Sequence, residues 1–190
     1  MRITGGRFLG RPLFAPGDAR VRPTSDKVRQ AIFNLLQHQP ELAGFSLEGA
    51  RVIDLFAGAA TLGLEALSRG AAYCLFVDDS AESRALIRRN VEALDLTGAT
   101  KIWRRNAAAL GRLDTLAPFD LAFLDPPYRQ DLIEPALAAM SAGGWLVNGA
   151  VVVAESDEHD RIVPSKGYLA FDHRTYGGTV VTLLRYGLPN

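Results

Sequence analysis

At 190 residues, 48% hydrophobic and 22% charged, with no repeat and no low-complexity tract, the chain has the size and composition of one globular domain and excludes a disordered or solenoid protein. Its 21 basic and 21 acidic residues cancel, so no overall field directs it to one kind of partner, although residues 1–30 hold seven basic against two acidic side chains, a net +5. A single cysteine, Cys74, excludes an internal disulfide and reads as a small buried hydrophobe; the separated His38, His159 and His173 give no metal-ligand spacing, and neither a signal-type apolar start nor a membrane-length run is present, so a metal-free cytoplasmic protein is expected.

In chain order, residues 1–22 place Gly5-Gly6, Gly10, Pro12 and Pro16-Gly17 between short apolar-basic pieces. This predicts a hairpin-like arm outside the core, followed by a single domain over 23–190. The arm's positive charge suits either a solvated appendage or a polyanionic partner. Thr24 or Ser25 can cap a helix whose apolar stripe is Val28, Ala31, Ile32, Leu35 and Leu36, ending before Pro40. From residue 51, strands alternate with helices: strands at 51–56, 73–78, 101–104, 119–125 and 150–154, and helices at 61–69, 81–94 and 132–142. The alternation predicts an α/β fold with a parallel sheet covered on both faces. Two last strands, 169–174 and 179–185, read as an antiparallel hairpin around Tyr176-Gly177-Gly178.

Ligands of such sheets bind beyond the carboxyl ends of the strands. Here Asp54 opens "DLFAGAATLG", Asp78 closes "CLFVDD" and Asp125 opens "DPPY". A dinucleotide would need glycine where Ala60 stands in Gly58-Ala59-Ala60-Thr61-Leu62-Gly63, because backbone there presses on a pyrophosphate. S-adenosylmethionine has no phosphates. Its amino-acid end needs a tight turn over Phe56, Ala57 and Gly58, with Asp54 facing the ammonium. Asp78 is placed to accept from both ribose hydroxyls, or, with Asp79, simply to favour the start of the next helix. Asn106 offers an adenine contact or a plain helix cap.

The "DPPY" stretch, Asp125, Pro126, Pro127 and Tyr128, ends a buried strand abruptly. An aromatic exocyclic amine is a poor nucleophile and needs aiming more than deprotonation. The Asp125 carboxylate and the Pro126 carbonyl can each accept one of its N–H groups, the prolines fix the backbone, and Tyr128 offers a stacking face. Pro-Pro-Tyr is otherwise a rigid turn.

Several blocks resemble the RsmD-like bacterial methyltransferases, which modify the N2 amino group of a guanine in 16S ribosomal RNA. These are "MRITGGRFLGRPL", "RPTSDKVRQAIFN", "VIDLFAGAATLGLEALSRGA", "DPPY" and "YGGTVVTLLR". The resemblance covers nearly the whole chain. It implies a class I, Rossmann-like methyltransferase fold with seven strands, S-adenosylmethionine as cofactor, Asp78 at the ribose and an RNA surface that includes the arm. Arg2, Arg7, Arg11, Arg22 and Arg29 are the candidate RNA contacts, and the partner would be 16S RNA or an assembling small ribosomal subunit. The chain departs from the family pattern at Ala59-Ala60, usually Ser-Gly or Thr-Gly, at Asp78, often Glu, and at Asn106, commonly Asp. The competing readings are a methyltransferase for DNA adenine N6 or a protein amide, and a Rossmann-like nucleotide-binding module without turnover.

Overall fold

The computed structural model describes residues 1–17, 25–127, 130–160 and 162–187. Seven strands form one sheet: β1 (Arg51–Leu55), β2 (Tyr73–Val77), β3 (Thr100–Trp103), β4 (Phe119–Leu124), β5 (Leu146–Asp157), β6 (Tyr168–Tyr176) and β7 (Thr179–Tyr186). Four helices of more than one turn accompany them: α1 (Asp26–His38), α2 (Thr61–Ser68), α3 (Ala81–Ala93) and α4 (Ile133–Gly143). The strand order is β3-β2-β1-β4-β5-β7-β6. Strands β1 to β5 run parallel, and β7 lies antiparallel between β5 and β6.

Strand residues alternate between two apolar layers, as a sheet covered on both faces requires. Val52, Cys74, Phe76, Leu121, Phe123, Val151 and Val153 belong to the layer that contains Ile32 and Phe33 of α1 and Leu64 of α2. Ile53, Leu55, Leu75, Val77, Ala122, Leu124 and Val152 pack instead with Ile133, Leu137 and Met140 of α4 and with Trp145. Cys74 is fully buried among them.

Sequence and structure differ most instructively at three places. Strand β5 begins at Leu146 rather than at residue 150, with a register shift opposite Phe119/Leu121; the exposed Asn148 and Gly149 (φ 82°) sit in this irregularity and look like a turn in the sequence. Helix α1, capped by the Ser25 side chain accepting from the Val28 N–H, is rotated from the expected stripe: Arg29 and Phe33 are buried where Ala31 and Leu35 were expected. Thr24, the other expected cap, lies outside the described residues. Finally, the arm pairs as expected, with Ile3 N–H donating to Arg11 O (3.0 Å) and Gly10 N–H to Ile3 O (2.9 Å). It is nevertheless part of the core, because Ile3 and Leu13 are buried in the α1/α2 layer.

A buried carboxylate holds that arm. Glu65 accepts from Thr4 N–H and Thr4 Oγ1–H, both at 2.8 Å, and lies 2.8 Å from Arg69 Nε and 3.6 Å from Arg29 Nε. Ser68 Oγ donates to Gly5 O and accepts from Phe8 N–H. Helix α2 is in turn pressed onto the sheet at Gly63, where an added Cβ would stand 2.4 Å from Phe76 Cε1 and 2.6 Å from Cys74 Sγ. Gly63→Ala is therefore expected to cost about 1–3 kcal/mol by overpacking, read as a lowered midpoint in urea unfolding.

Candidate active site at the strand ends

The strand register builds the site. Leu55 of β1 lies opposite Val77 of β2 on one side and Leu124 of β4 on the other, so Phe56, Asp78 and Asp125 leave the sheet side by side. The chain order reverses between β1 and β4, the position where an open α/β sheet leaves a crevice. Asp54, one residue inside β1, is buried and accepts the Gly63 N–H at 2.9 Å. Burial pushes its carboxyl well above the ordinary range; the Gly63 bond opposes this, and the nearby negative charges of Asp125 and Asp78 add to it. Three carboxylates thus converge on one edge.

The 56–60 turn has left-handed backbone at alternate residues, Phe56 (φ 60°), Gly58 (53°) and Ala60 (66°). Two of these carry side chains, a conformation that costs about 1–3 kcal/mol each and survives only where the surroundings impose it. The supports are visible. Ala57 N–H donates to Val77 O, Ala60 N–H to Ala57 O, and Gly58 N–H to Asp78 Oδ2 at 2.9 Å. Ala60 fills the αL position for which glycine is usual, with its methyl group in the core.

Asp78, half-buried, also accepts the Ser80 N–H at Oδ1 (2.9 Å), immediately before α3. Its oxygens therefore brace the 56–60 turn and the helix start together, and each retains a lone pair for a hydroxyl. Asn106 is exposed and caps a short 3-10 turn over Ala107–Ala109, its Oδ1 accepting the Ala108 N–H at 2.8 Å. An adenine contact would have to come from its amide N–H groups.

At the end of β4, Asp125 is half-buried, Pro126 buried and Pro127 exposed; Tyr128 lies outside the described residues. On the β5 side of this motif opens a shallow, partly open hollow lined by Pro126, Pro127, Leu132, Ile133, Glu155 and Ser156 among others. Glu155 follows Ala154, which pairs in register with Leu124, and so lies level with Asp125, although β5 itself runs on to Asp157 in its pairing with β7. The run "VVVAES" repeats the apolar-then-acid pattern of the other three strands, a signal that the sequence reading passed over.

Of the arginines proposed to face RNA, Arg2, Arg7 and Arg11 are exposed on the arm. Arg22 lies outside the described residues. Arg29 does not face outward at all. Its side chain is 0% exposed, donates to Arg2 O and to Asp26 Oδ1 (2.7 Å), and approaches Glu65, so it is an internal strut that no phosphate on the surface reaches.

Comparison with known proteins agrees with this architecture. The Escherichia coli structure yhhF, 28% identical, superposes with a TM-score of 0.80 over 100% of this chain and 99% of its own. The Bacillus subtilis protein YlbH is 34% identical over 97% of this chain and 98% of its own length. Escherichia coli (strain K12) "Ribosomal RNA small subunit methyltransferase D" is 36% identical over 83% of this chain and 75% of its own. The fold is that of the class I methyltransferases, a class whose cofactor is S-adenosylmethionine. Residues 1–185 match the family described as Conserved hypothetical protein 95, and the chain belongs to that family. The expected RsmD-like kinship is borne out.

Proposed function

We propose that this chain transfers a methyl group from S-adenosylmethionine to the exocyclic N2 amino group of a guanine in 16S ribosomal RNA, free or in an assembling small subunit. The observation that carries the reading is the convergence of Asp125 with Asp54 and Asp78 on the same sheet edge, at the crevice between β1 and β4. The ribosomal substrate class follows the name of the Escherichia coli relative, and the N2 position is taken from the likeness to RsmD-type enzymes.

The donor set fits the cofactor. Asp54, buried and tied to Gly63, would meet the ammonium of the amino-acid end; the left-handed turn through Phe56, Ala57 and Gly58 would present backbone groups to it; Asp78 would accept from the ribose diol, and Asn106 would contact the adenine edge through its amide N–H groups. When bound, S-adenosylmethionine supplies an electrophilic methyl group on a sulfonium. The Asp125 carboxylate and Pro126 carbonyl accept the two N–H groups of the target amine and point its lone pair along the line of transfer. Transfer would form the N–C bond as the methyl–sulfur bond breaks, leaving the thioether S-adenosylhomocysteine, and the proton shed by the nitrogen would pass to Asp125 or to water. The target base leaves its stack to enter, and the hollow beside Pro126 marks the side of the motif from which it would approach. Tyr128 is assigned its face. Arg2, Arg7, Arg11 and Arg22 would hold the phosphates, which predicts binding that weakens steeply with salt.

The raised Asp54 pKa gives a test of the cofactor end. Because the folded chain holds this proton more tightly than the unfolded chain, Asp54 favours the fold below the ordinary carboxylate range, and that contribution is lost as pH rises through the raised folded-state value. A neighbouring ammonium favours the ionised form. S-adenosylhomocysteine is therefore expected to bind more tightly as pH rises through the same window, by at most about tenfold per pH unit, with release of a proton. Calorimetry in buffers of different ionisation enthalpy measures that release, and none in this window would separate Asp54 from the ammonium.

The reaction itself is tested with labelled S-adenosylmethionine offered to 16S RNA, small-subunit particles, duplex DNA and protein extract. N2-methylguanine in ribosomal RNA is the expected nucleoside. N6-methyladenine in DNA, or label in protein alone, would replace the substrate assignment. Binding of the cofactor without label anywhere would favour a module without turnover. Among the described residues no helix is long and apolar enough to cross a membrane, and no group of His, Cys, Asp or Glu is arranged to hold a metal.

A further inference from the structure

The arm and the 56–60 turn are distant in sequence, yet one buried side chain of α3 touches both. Asn90, fully buried, donates through Nδ2 to Ala59 O (3.0 Å) and to Phe14 O (3.1 Å), and accepts the Phe14 N–H at Oδ1 (2.7 Å). The Phe14 N–H fixes which way the amide points, since a reversed amide would set two donors against each other. All three bonds run directly to backbone groups from a fully buried side chain, the setting in which a satisfied polar group most strongly favours one arrangement. Neither aspartate, which has no donor, nor serine, which is too short, could make the set. Above Asn90, the partly exposed Phe14 ring lies 4.1 Å from the Arg89 guanidinium, and Arg11 donates to Ala93 O at the end of α3. The exposed face of the arm is thus fastened to α3 directly over the residue that holds Ala59.

We propose that Asn90 is a positioning residue that couples the docking of the N-terminal arm to the conformation of the cofactor turn, so that filling the cofactor site orders the arm and an arm held by RNA favours the cofactor. Ala59 lies between the two left-handed residues Gly58 and Ala60. Any shift of its carbonyl pulls on the amide that also grips Phe14. Because linkage is reciprocal, what strengthens one contact strengthens the other by the same factor. The proposal rests on placing the cofactor at this turn, and is independent of which base is methylated.

Amide hydrogen exchange of the full chain, with and without saturating S-adenosylhomocysteine, tests it without any substitution. Slower exchange at Ala57, Gly58 and Ala60 reports occupancy of the turn. Slowing by about tenfold at Phe14, with none at the β6/β7 hairpin, is the expected sign of coupling. Slowing at the turn with unchanged exchange at Phe14 would overturn the coupling, whereas bound ligand with no slowing at the turn would overturn the cofactor placement and the coupling with it. In Asn90→Ala the effect at Phe14 is expected to vanish and the calorimetric Kd for S-adenosylhomocysteine to rise about tenfold. A purely structural role would raise Kd only as far as the folded fraction, read from urea unfolding, falls, and a Kd unchanged beyond that counts against the proposal. If that variant fails to fold, the wild-type exchange pattern decides.

Discussion

Asp125→Ala is expected to reduce methyl transfer by about 10²–10⁴-fold, the range that a positioned hydrogen-bonding or proton-accepting group contributes, while S-adenosylhomocysteine still binds. The division follows from placement. Asp125 lies at the end of β4, beside the hollow at Pro126, whereas Asp78 at the end of β2 braces the 56–60 turn and Asp54 in β1 accepts from Gly63 of α2. Losing Asp125 also removes one of the charges that push the Asp54 carboxyl upward, so its pKa should fall in the variant. This moves the pH window of cofactor binding downward without abolishing binding. Asp78→Ala is the contrasting case: both oxygens support backbone N–H groups, at Gly58 and Ser80. Its loss should raise the cofactor Kd about tenfold or more, as expected when hydrogen bonds to a charged group are removed. Single-turnover kinetics with calorimetry on both variants separates the roles. Equal loss of cofactor affinity in the two would show that the division between β1/β2 and β4 is wrong.

Glu65→Ala is expected to destabilise the fold by about 3–5 kcal/mol, because removing one member of a buried ion pair leaves the other uncompensated. Glu65 is fully buried and serves two arginines, Arg29 and Arg69, along with the backbone and hydroxyl of Thr4. Asp26 remains within 2.7 Å of Arg29 Nη2 and is partly exposed, so it compensates only in part. The arm should loosen first. Ile3 and Leu13 enter the core only while Thr4 and Gly5 are held on α2, so the amides of Ile3 and Leu13 should lose protection from hydrogen exchange beyond the global change. Urea unfolding gives the stability loss. A shift below about 1 kcal/mol would mean that the arm is held by its apolar contacts and the carboxylate is replaceable.

The parts of the fold that the sequence announces are those encoded by neighbours along the chain. Ser25 before the apolar stripe, the glycines at 177 and 178 (φ 55° and 90°) between two β-rich runs, and the apolar runs that stop at Asp54, Asp78 and Asp125 all act within a few residues. Their physics is local: a side chain accepting a nearby N–H, a left-handed turn without a steric penalty, a strand that proline cannot continue. Asn148-Gly149 misled for the same reason. It has local turn chemistry, yet pairing with β4 and β7 carries the strand through it.

Arg29 was illegible because its burial depends on Glu65, thirty-six positions later, and Asn90 because its purpose is divided between Phe14 and Ala59. A lone arginine on a helix reads as solvated, and a lone asparagine as indifferent; only the docking of the arm supplies the partners that make burying either affordable. The class of fold, the three acids near the strand ends and the break that the prolines of "DPPY" impose after β4 were thus determined by the sequence itself, since strand periodicity and chain-breaking residues act over short range. Tertiary structure alone decided which charges face inward, that the arm is buried in part against the core, and that the arm and the 56–60 turn share one amide. Those outcomes depend on long-range contacts, whose free energy appears only when the chain has folded.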